Sequence, residues 1–306
     1  MKAIVCTRYG PPEVLQLQEM EKPAPRDHEI CLKIVSTSVT ASDCIIRAFN
    51  VPAKFKIPMA LAIGLRKPRV SVLGMVFAGE VESVGKKTHM FKKGDHVYGI
   101  DRFRFGGYAE YKCIREDGVL AIKPARISFG EAAAIPYGGL LALHFLKKSN
   151  LQSGQKIAVY GASGAIGSSA VQLARHFGAE VTGICSTANV EMVRALGAHN
   201  VVDYTKEDFT EKGERYDVIF NAVGKAKAHL HCNQALAPGG KPITVDDGSP
   251  RLLAEDLIGL NQLVEQGQLK AVIDRSYTLE QMAEAHRYVD TGRKKGNVII
   301  HVVPQR

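Results

Sequence analysis

A glycine-rich stretch carries the sharpest chemical signal in this chain. Ile157-Ala158-Val159-Tyr160 reads as a short apolar strand, and Gly161, Ala162, Ser163, Gly164, Ala165, Ile166 and Gly167 follow as a turn. Ser168-Ser169-Ala170-Val171-Gln172-Leu173-Ala174 then continues as an amphipathic helix. Gly161 permits the tight turn, Gly164 lets backbone approach a pyrophosphate, and Gly167 lets the helix pack closely on the strand. A helix N-terminus offers free N–H groups and a positive dipole to phosphate. The chemistry expected here is dinucleotide binding.

The residues after the second strand of such a unit select the dinucleotide. An acid at that place takes a ribose 2′-hydroxyl and repels a 2′-phosphate. Val181-Thr182-Gly183-Ile184 runs instead into Cys185-Ser186-Thr187-Ala188-Asn189, with no acid. Small hydroxyls and amides can donate to a phosphate, so NADPH is expected over NADH. Ser186, Thr187 and Asn189 are the expected contacts, with Tyr204 closing over the phosphate and Val223 completing the cofactor-binding set.

These residues need a frame. The chain has 306 residues, 45% hydrophobic and 23% charged, which excludes a disordered or low-complexity chain. Residues 1 to about 125 show short alternating stretches between Gly-rich turns, as in Ile30-Cys31-Leu32-Lys33-Ile34-Val35, and read as a small all-β domain. The segment 52–68, with Pro52, Pro58 and Pro68, reads as a long ordered loop. From Ser128 the pattern turns helical: Ser128 and Glu131 have capping-box spacing, and Pro136 with Gly138-Gly139 is expected to interrupt the helix. Strands are expected at 157–160, 180–184, 200–203, 217–222 and 241–245, with helices near 164–177, 188–196, 205–212 and 226–236. Such alternation predicts a doubly wound parallel α/β sheet. A helix near 254–266, a strand at 271–274, a helix at 279–291 and a strand at 296–303 close the chain.

Forty basic and 31 acidic residues give a net charge of +9, and the basic runs are short. A phosphorylated small molecule accounts for this better than nucleic acid, for which no basic strip exists. No 18-residue apolar run offers a membrane span. Met1-Lys2-Ala3-Ile4-Val5 reads as a strand and not a leader, so a cytoplasmic location is expected. The six cysteines are scattered, with no CxxC. His229-Leu230-His231-Cys232 is the one local cluster of metal-binding residue types, and it reads as an incidental run.

The chain resembles the medium-chain dehydrogenase/reductase superfamily, in its zinc-independent quinone oxidoreductase (ζ-crystallin-like) branch. Gly10-Pro11-Pro12-Glu13-Val14-Leu15, Ala41-Ser42-Asp43, Ala78-Gly79-Glu80-Val81, Phe91-Lys92-Lys93-Gly94-Asp95-His96-Val97-Tyr98-Gly99 and Gly107-Tyr108-Ala109-Glu110-Tyr111 carry the likeness. The glycine loop, Leu236-Ala237-Pro238-Gly239-Gly240 and Glu284-Ala285-His286-Arg287 extend it. The resemblance implies a GroES-like β-barrel domain from 1–125, completed by 270–306, and a Rossmann domain over 126–269 that is shortened after Pro250. Zinc-dependent members carry a Cys near the Ala41-Ser42-Asp43 turn and a Gly-His-Glu sequence; here Thr40 and Leu73-Gly74-Met75 stand there, so no metal site is expected.

The activity so implied is transfer of hydride from NADPH to a quinone or an α,β-unsaturated carbonyl. An NADP-dependent alcohol or aldehyde dehydrogenase and a non-catalytic NADPH-binding protein are the alternatives. Thr40 is a candidate to hydrogen-bond a carbonyl oxygen, with a turn cap as its plain alternative. Tyr108 is a candidate proton donor, with a half-buried strand tyrosine as its alternative. A small-molecule substrate is expected, and neither nucleic acid nor membrane. The resemblance implies a homodimer, which the absence after Pro250 of the sixth Rossmann strand, often at the family's dimer interface, puts in doubt.

Overall fold

A computed structural model describes the chain except Pro52, residues 225–231 and residues 304–306; the side chains at 53–55 and 62 are also undescribed. The chain divides into two compact units, residues 1–136 with 273–306, and residues 137–272.

The first unit is mostly antiparallel sheet. β1 (Lys2–Cys6) and β2 (Leu15–Glu19) form a hairpin-like pair with Lys2 opposite Glu19. β3 (Glu29–Val39) is the long central strand. After it come α1 (Ala41–Ala48), α2 (Ala53–Ile63), β4 (Val76–Val84), β5 (His96–Ile100), β6 (Tyr111–Arg115), β7 (Leu120–Ile122) and α3 (Phe129–Ala134). The C-terminal elements β13 (Ile273–Thr278), α8 (Met282–Asp290) and β14 (Asn297–His301) belong to the same unit. The strand order is β13-β14-β3-β4-β5-β7, and β6 also pairs with β3. Ile30, Leu32 and Ile34 of β3, Phe77 and Val81 of β4, and Val298 and Ile300 of β14 are all fully or almost fully buried. They meet because alternate residues of a strand share one face.

The second unit holds a parallel sheet. It runs through α4 (Pro136–Ser149), β8 (Lys156–Tyr160), α5 (Ala165–His176), β9 (Glu180–Cys185), α6 (Val190–Ala195), β10 (Asn200–Asp203), β11 (Tyr216–Asn221), β12 (Leu236–Thr244) and α7 (Ala254–Glu265). The strand order β10-β9-β8-β11-β12 reverses direction beside β8, the first strand of the unit. That reversal is the switch point of a doubly wound sheet, where the ends of strands leave a crevice. Ala158, Ile184, Val202, Tyr216 and Ile219 form its core. Among the described residues the sheet ends at β12, and the chain then enters α7.

Three expectations give way. The segment 52–68 holds α2, not a loop. Its run of Ala, Lys, Met and Leu favours helix strongly enough to absorb Pro58, which removes one backbone hydrogen bond. Gly64 ends it in the left-handed region at φ +115°. The helix expected at 205–212 is a series of turns. Asp203 accepts the Thr205 N–H at 3.0 Å, and Asp208 accepts that of Thr210 at 2.9 Å, so local side-chain acceptors replace helical carbonyls. The interruption expected at Pro136 with Gly138-Gly139 is confined to Ile135: Pro136 begins α4, which suits a residue with no N–H to donate, and the two glycines lie inside that helix. Most of the helix expected at 226–236, and His229 to His231, lies outside the described residues; Cys232–Ala235 is a short 3₁₀ turn.

The capping box at Ser128 and Glu131 forms as its spacing implies, with Ser128 N–H donating to Glu131 at 2.8 Å. No helix among the described residues is long and apolar enough to cross a membrane.

Gly138 shows how tightly the second unit packs. A Cβ there would overlap the carbonyl oxygen of Ala165, the first residue of α5. Gly138→Ala is expected to cost about 1–3 kcal/mol through forced separation of α4 and α5. Urea denaturation measures it, and an unchanged midpoint would show that this contact is loose.

Candidate functional site

The glycine loop of the second unit takes the form that its sequence implies. Gly161 lies at φ +79°, and a Cβ on it would overlap the Val223 side chain. A Cβ on Gly167 would overlap the carbonyl oxygen of Gly161, so α5 begins directly against the end of β8. Gly164 is the N-cap of α5 and makes no side-chain cap. A Cβ there would meet only Gly161 O at 3.6 Å, so the space in front of the helix start is open. The first N–H groups of α5 therefore point at an uncapped end, with the positive pole of a 12-residue helix behind them. Ala162, Ala165 and Ile166 are buried beneath this turn, while Ser163 is partly exposed. This cradle fits a pyrophosphate.

The turn after β9 is stitched to the loop. Asn189 Nδ2 donates to Ser163 Oγ and to Ser186 Oγ, each at 3.1 Å. Asn189 is nearly buried, and its Oδ1 makes no hydrogen bond. Thr187 Oγ1 donates to Asp203 Oδ2 at 2.5 Å and lies 3.0 Å from Thr205 Oγ1. Tyr204 is 51% exposed, with its ring 6.1 Å from that of Tyr160. Val223 is 36% exposed, and its N–H donates to Asn221 Oδ1 at 3.0 Å. The structure thus brings together Ser163, Ser186 and Asn189, and separately Thr187 with Asp203.

Sequence reasoning missed Asp203. It ends β10 directly opposite Cys185 of β9. The hydroxyls of Thr187 and then Thr205 hold its carboxyl low, at about 2. Lys206 stands 3.5 Å from it. An acid at the end of the third strand, one strand over from the place that sequence reading checks, was the available signal.

The first unit contains a buried polar chain. Thr40 caps α1: its Oγ1 accepts the Asp43 N–H at 3.1 Å and donates to Asp43 Oδ2 at 2.6 Å. Tyr108 is fully buried, not half-buried, and its hydroxyl lies 3.1 Å from His286 Nε2. Cys44 Sγ lies 3.3 Å from His286 Nδ1. Burial pushes His286 down to about 3, so the ring is neutral; burial also pushes the Cys44 thiol well up, so it keeps its proton. One ordering then pairs the thiol, both ring nitrogens and the phenol. Cys44 donates to Nδ1, Nε2–H donates to the Tyr108 oxygen, and the Tyr108 hydroxyl turns to Asp43 beside it. Thr40 and Tyr108 are therefore both committed to partners inside the unit.

Among the described residues no group of three or more His, Cys, Asp and Glu side chains could hold a metal ion. Cys44 and His286 meet as a pair, and two side chains fall short of the three or four protein ligands that zinc takes.

Known proteins resemble both units. The family model described as "Alcohol dehydrogenase GroES-like domain" matches residues 26–124, and that described as "Zinc-binding dehydrogenase" matches residues 165–275. The chain is 32% identical to the 2-methylene-furan-3-one reductase of Solanum lycopersicum, over 99% of this chain and 80% of that protein. It is 31% identical to the chloroplastic NADPH-dependent alkenal/one oxidoreductase of Arabidopsis thaliana, with the same coverage. The structure of the quinone oxidoreductase from Coxiella burnetii superposes with a TM-score of 0.87 at 27% identity, covering 99% of each chain.

Two outcomes follow from the geometry. Gly164→Ala has room for its methyl, so stability should move by no more than about 0.5 kcal/mol. The methyl would occupy the phosphate face, and affinity for a nicotinamide dinucleotide should fall about tenfold or more, which calorimetric titration reads. An unchanged affinity would place the phosphates elsewhere.

Asp43 supplies the second. Burial raises its carboxyl from 3.8 to about 6. The folded state then holds this proton more tightly than the unfolded one. The stabilisation, worth about 3 kcal/mol, is complete below about pH 4 and is lost as pH rises through 6. His286 acts in the opposite sense, since its contribution is present above 6.5 and lost as pH falls toward 3. Asp43→Asn removes only the first effect. The stability of the wild type minus that of Asp43→Asn should therefore grow from pH 7 to pH 4 in guanidinium titrations. A constant difference would mean that Asp43 is not desolvated.

Proposed function

The chain belongs to the medium-chain dehydrogenase/reductase superfamily, in its quinone oxidoreductase-like branch, and on that premise we propose that it is an NADPH-dependent reductase of quinones and α,β-unsaturated carbonyls. The observation that carries this reading is the uncapped, glycine-cleared start of α5 in a chain that matches enone reductases almost end to end. When bound, the nicotinamide supplies a hydride for the electron-poor carbon of the acceptor, and a proton completes the reduction. The chain's own part is to hold the phosphates on the N–H groups after Gly164 and to fix the dinucleotide for transfer.

The preference for the 2′-phosphate rests on the turn after β9. Ser186 and Asn189 face the glycine loop there, and no carboxylate follows Cys185. Asp203 is the acid on the neighbouring strand. Its oxygens take the hydroxyl hydrogens of Thr187 and Thr205, and Lys206 offsets its charge. It is thereby occupied and not presented to a ribose. No zinc-polarised alkoxide enters this reading, because Thr40 and Leu73-Gly74-Met75 offer none of the Cys, His or carboxylate ligands that zinc takes.

Turnover of 9,10-phenanthrenequinone and of a simple enone, followed by loss of NADPH absorbance, tests the activity. NADPH should raise Tm at concentrations where NADH does not. Equal stabilisation by NADH would overturn the cofactor preference. Binding without turnover would favour a non-catalytic role, and stoichiometric zinc would revive the alcohol dehydrogenase. We place the proton source in solvent, since Tyr108 is enclosed. Tyr108→Phe should lose about 1 kcal/mol of stability and keep kcat within about threefold. A hundredfold fall in kcat, the scale of general acid catalysis, would make Tyr108 the acid.

A further inference from the structure

All six cysteines are free, and two of them face each other across the first unit's sheet. β3 and β6 pair antiparallel with Cys31 opposite Cys113. The Ile34 N–H donates to Glu110 O, and the Glu116 N–H donates to His28 O. Those two bonds fix the phase of the ladder. Hydrogen-bonded pairs recur at every second residue from Ile34, so Cys31 and Cys113 fall at a non-hydrogen-bonded position. At such positions the Cα atoms lie about 4.5 Å apart and the two side chains stand on one face. That separation lies within the range of about 4.4–6.8 Å that a disulfide spans without backbone movement.

The two thiols are also unequal. Cys31 is fully buried, and Cys113 is partly exposed. A hydrogen bond from Cys113 draws the Cys31 thiol down, and the Lys22 ammonium adds to this, while the same contact pushes Cys113 up. Cys113 is thus the sulfur that an oxidant reaches, and Cys31 stands behind it to resolve the oxidised product.

We propose that Cys31 and Cys113 are a redox pair that closes a cross-strand disulfide under two-electron oxidation by a hydroperoxide. The Cys113 sulfur gives an electron pair to the peroxide, which breaks its O–O bond, leaving a sulfenic acid and releasing an alcohol or water. The Cys31 sulfur then attacks the sulfenic sulfur, its proton leaves with the hydroxyl as water, and the S–S bond forms. The peroxide is reduced by two electrons and the two thiols are oxidised by two. The product clamps the middle of β6 to the N-terminal part of β3.

Hydrogen peroxide treatment of the intact protein, followed by denaturation, alkylation and mass spectrometry, tests the pairing. Alkylated cysteines should fall from six to four, with a Cys31–Cys113 cross-linked peptide that dithiothreitol removes. Cys113→Ser, at a partly exposed position, should show no loss among its remaining thiols and no rise in Tm on oxidation, whereas the wild type should gain Tm. The proposal is overturned if all six thiols survive a peroxide dose that oxidises free glutathione. It is equally overturned if Cys113 proceeds to sulfonic acid without a cross-link, or if the disulfide maps to another pair.

Discussion

The start of α5 against the end of β8 leaves no space for a side chain at Gly167, and much of the second unit is arranged around that approach. Because the helix begins so close to the strand, its first N–H groups emerge at the carboxyl end of the parallel sheet, where the strand order reverses. A larger residue would push the helix outward and separate the dipole from the switch point. Gly138 serves the same end from the other side, by letting α4 touch the first residue of α5. Neither glycine touches a ligand by a side chain. They act by removing bulk between backbones, so that an anion can be met by main-chain donors alone.

The first unit handles polarity differently. Its interior holds a carboxyl, a phenol, an imidazole and a thiol in one line, and burial shifts each of them toward its neutral form. Such a line is directional, because each member must donate to the next. It joins α1, through Asp43 and Cys44, to α8, through His286, with Tyr108 between them. Apolar packing could hold these elements together without fixing their register. A chain of hydrogen bonds accepts one arrangement and penalises a shift by leaving a buried group unmatched.

The glycine loop was legible in the sequence because its meaning is local: a strand, a tight turn and a helix start adjoin one another in the chain. Four of the five parallel strands were legible for the same reason, as apolar runs of the right length, whereas β12 begins at Leu236, five residues before the strand expected at 241–245. What escaped was non-local or competitive. Asp203 meets Thr187 only once β10 lies beside β9, and no spacing in the chain announces that contact. The turns at 204–212 defeat the helical pattern because Asp203 and Asp208 offer nearer acceptors than helical carbonyls do. α2 was concealed by Pro58, a residue whose local veto is weaker than the combined preference of its neighbours. Tyr108 and His286 are far apart in sequence, so their contact belongs to the fold and not to either motif.

The second unit's sheet ends, among the described residues, at β12, whose sequence is Leu236-Ala237-Pro238-Gly239-Gly240-Lys241-Pro242-Ile243-Thr244. An outer strand normally displays a row of unused backbone donors and acceptors that invites another strand to dock, including one from a misfolded neighbour. Pro238 and Pro242 each delete a donor from this row, and the Gly239-Gly240 pair between them offers no side chain to pack. The Lys241 ammonium adds a further deterrent by placing charge on the same stretch. The border of the sheet is in this way made a poor template, and an outer strand need not become a route to aggregation.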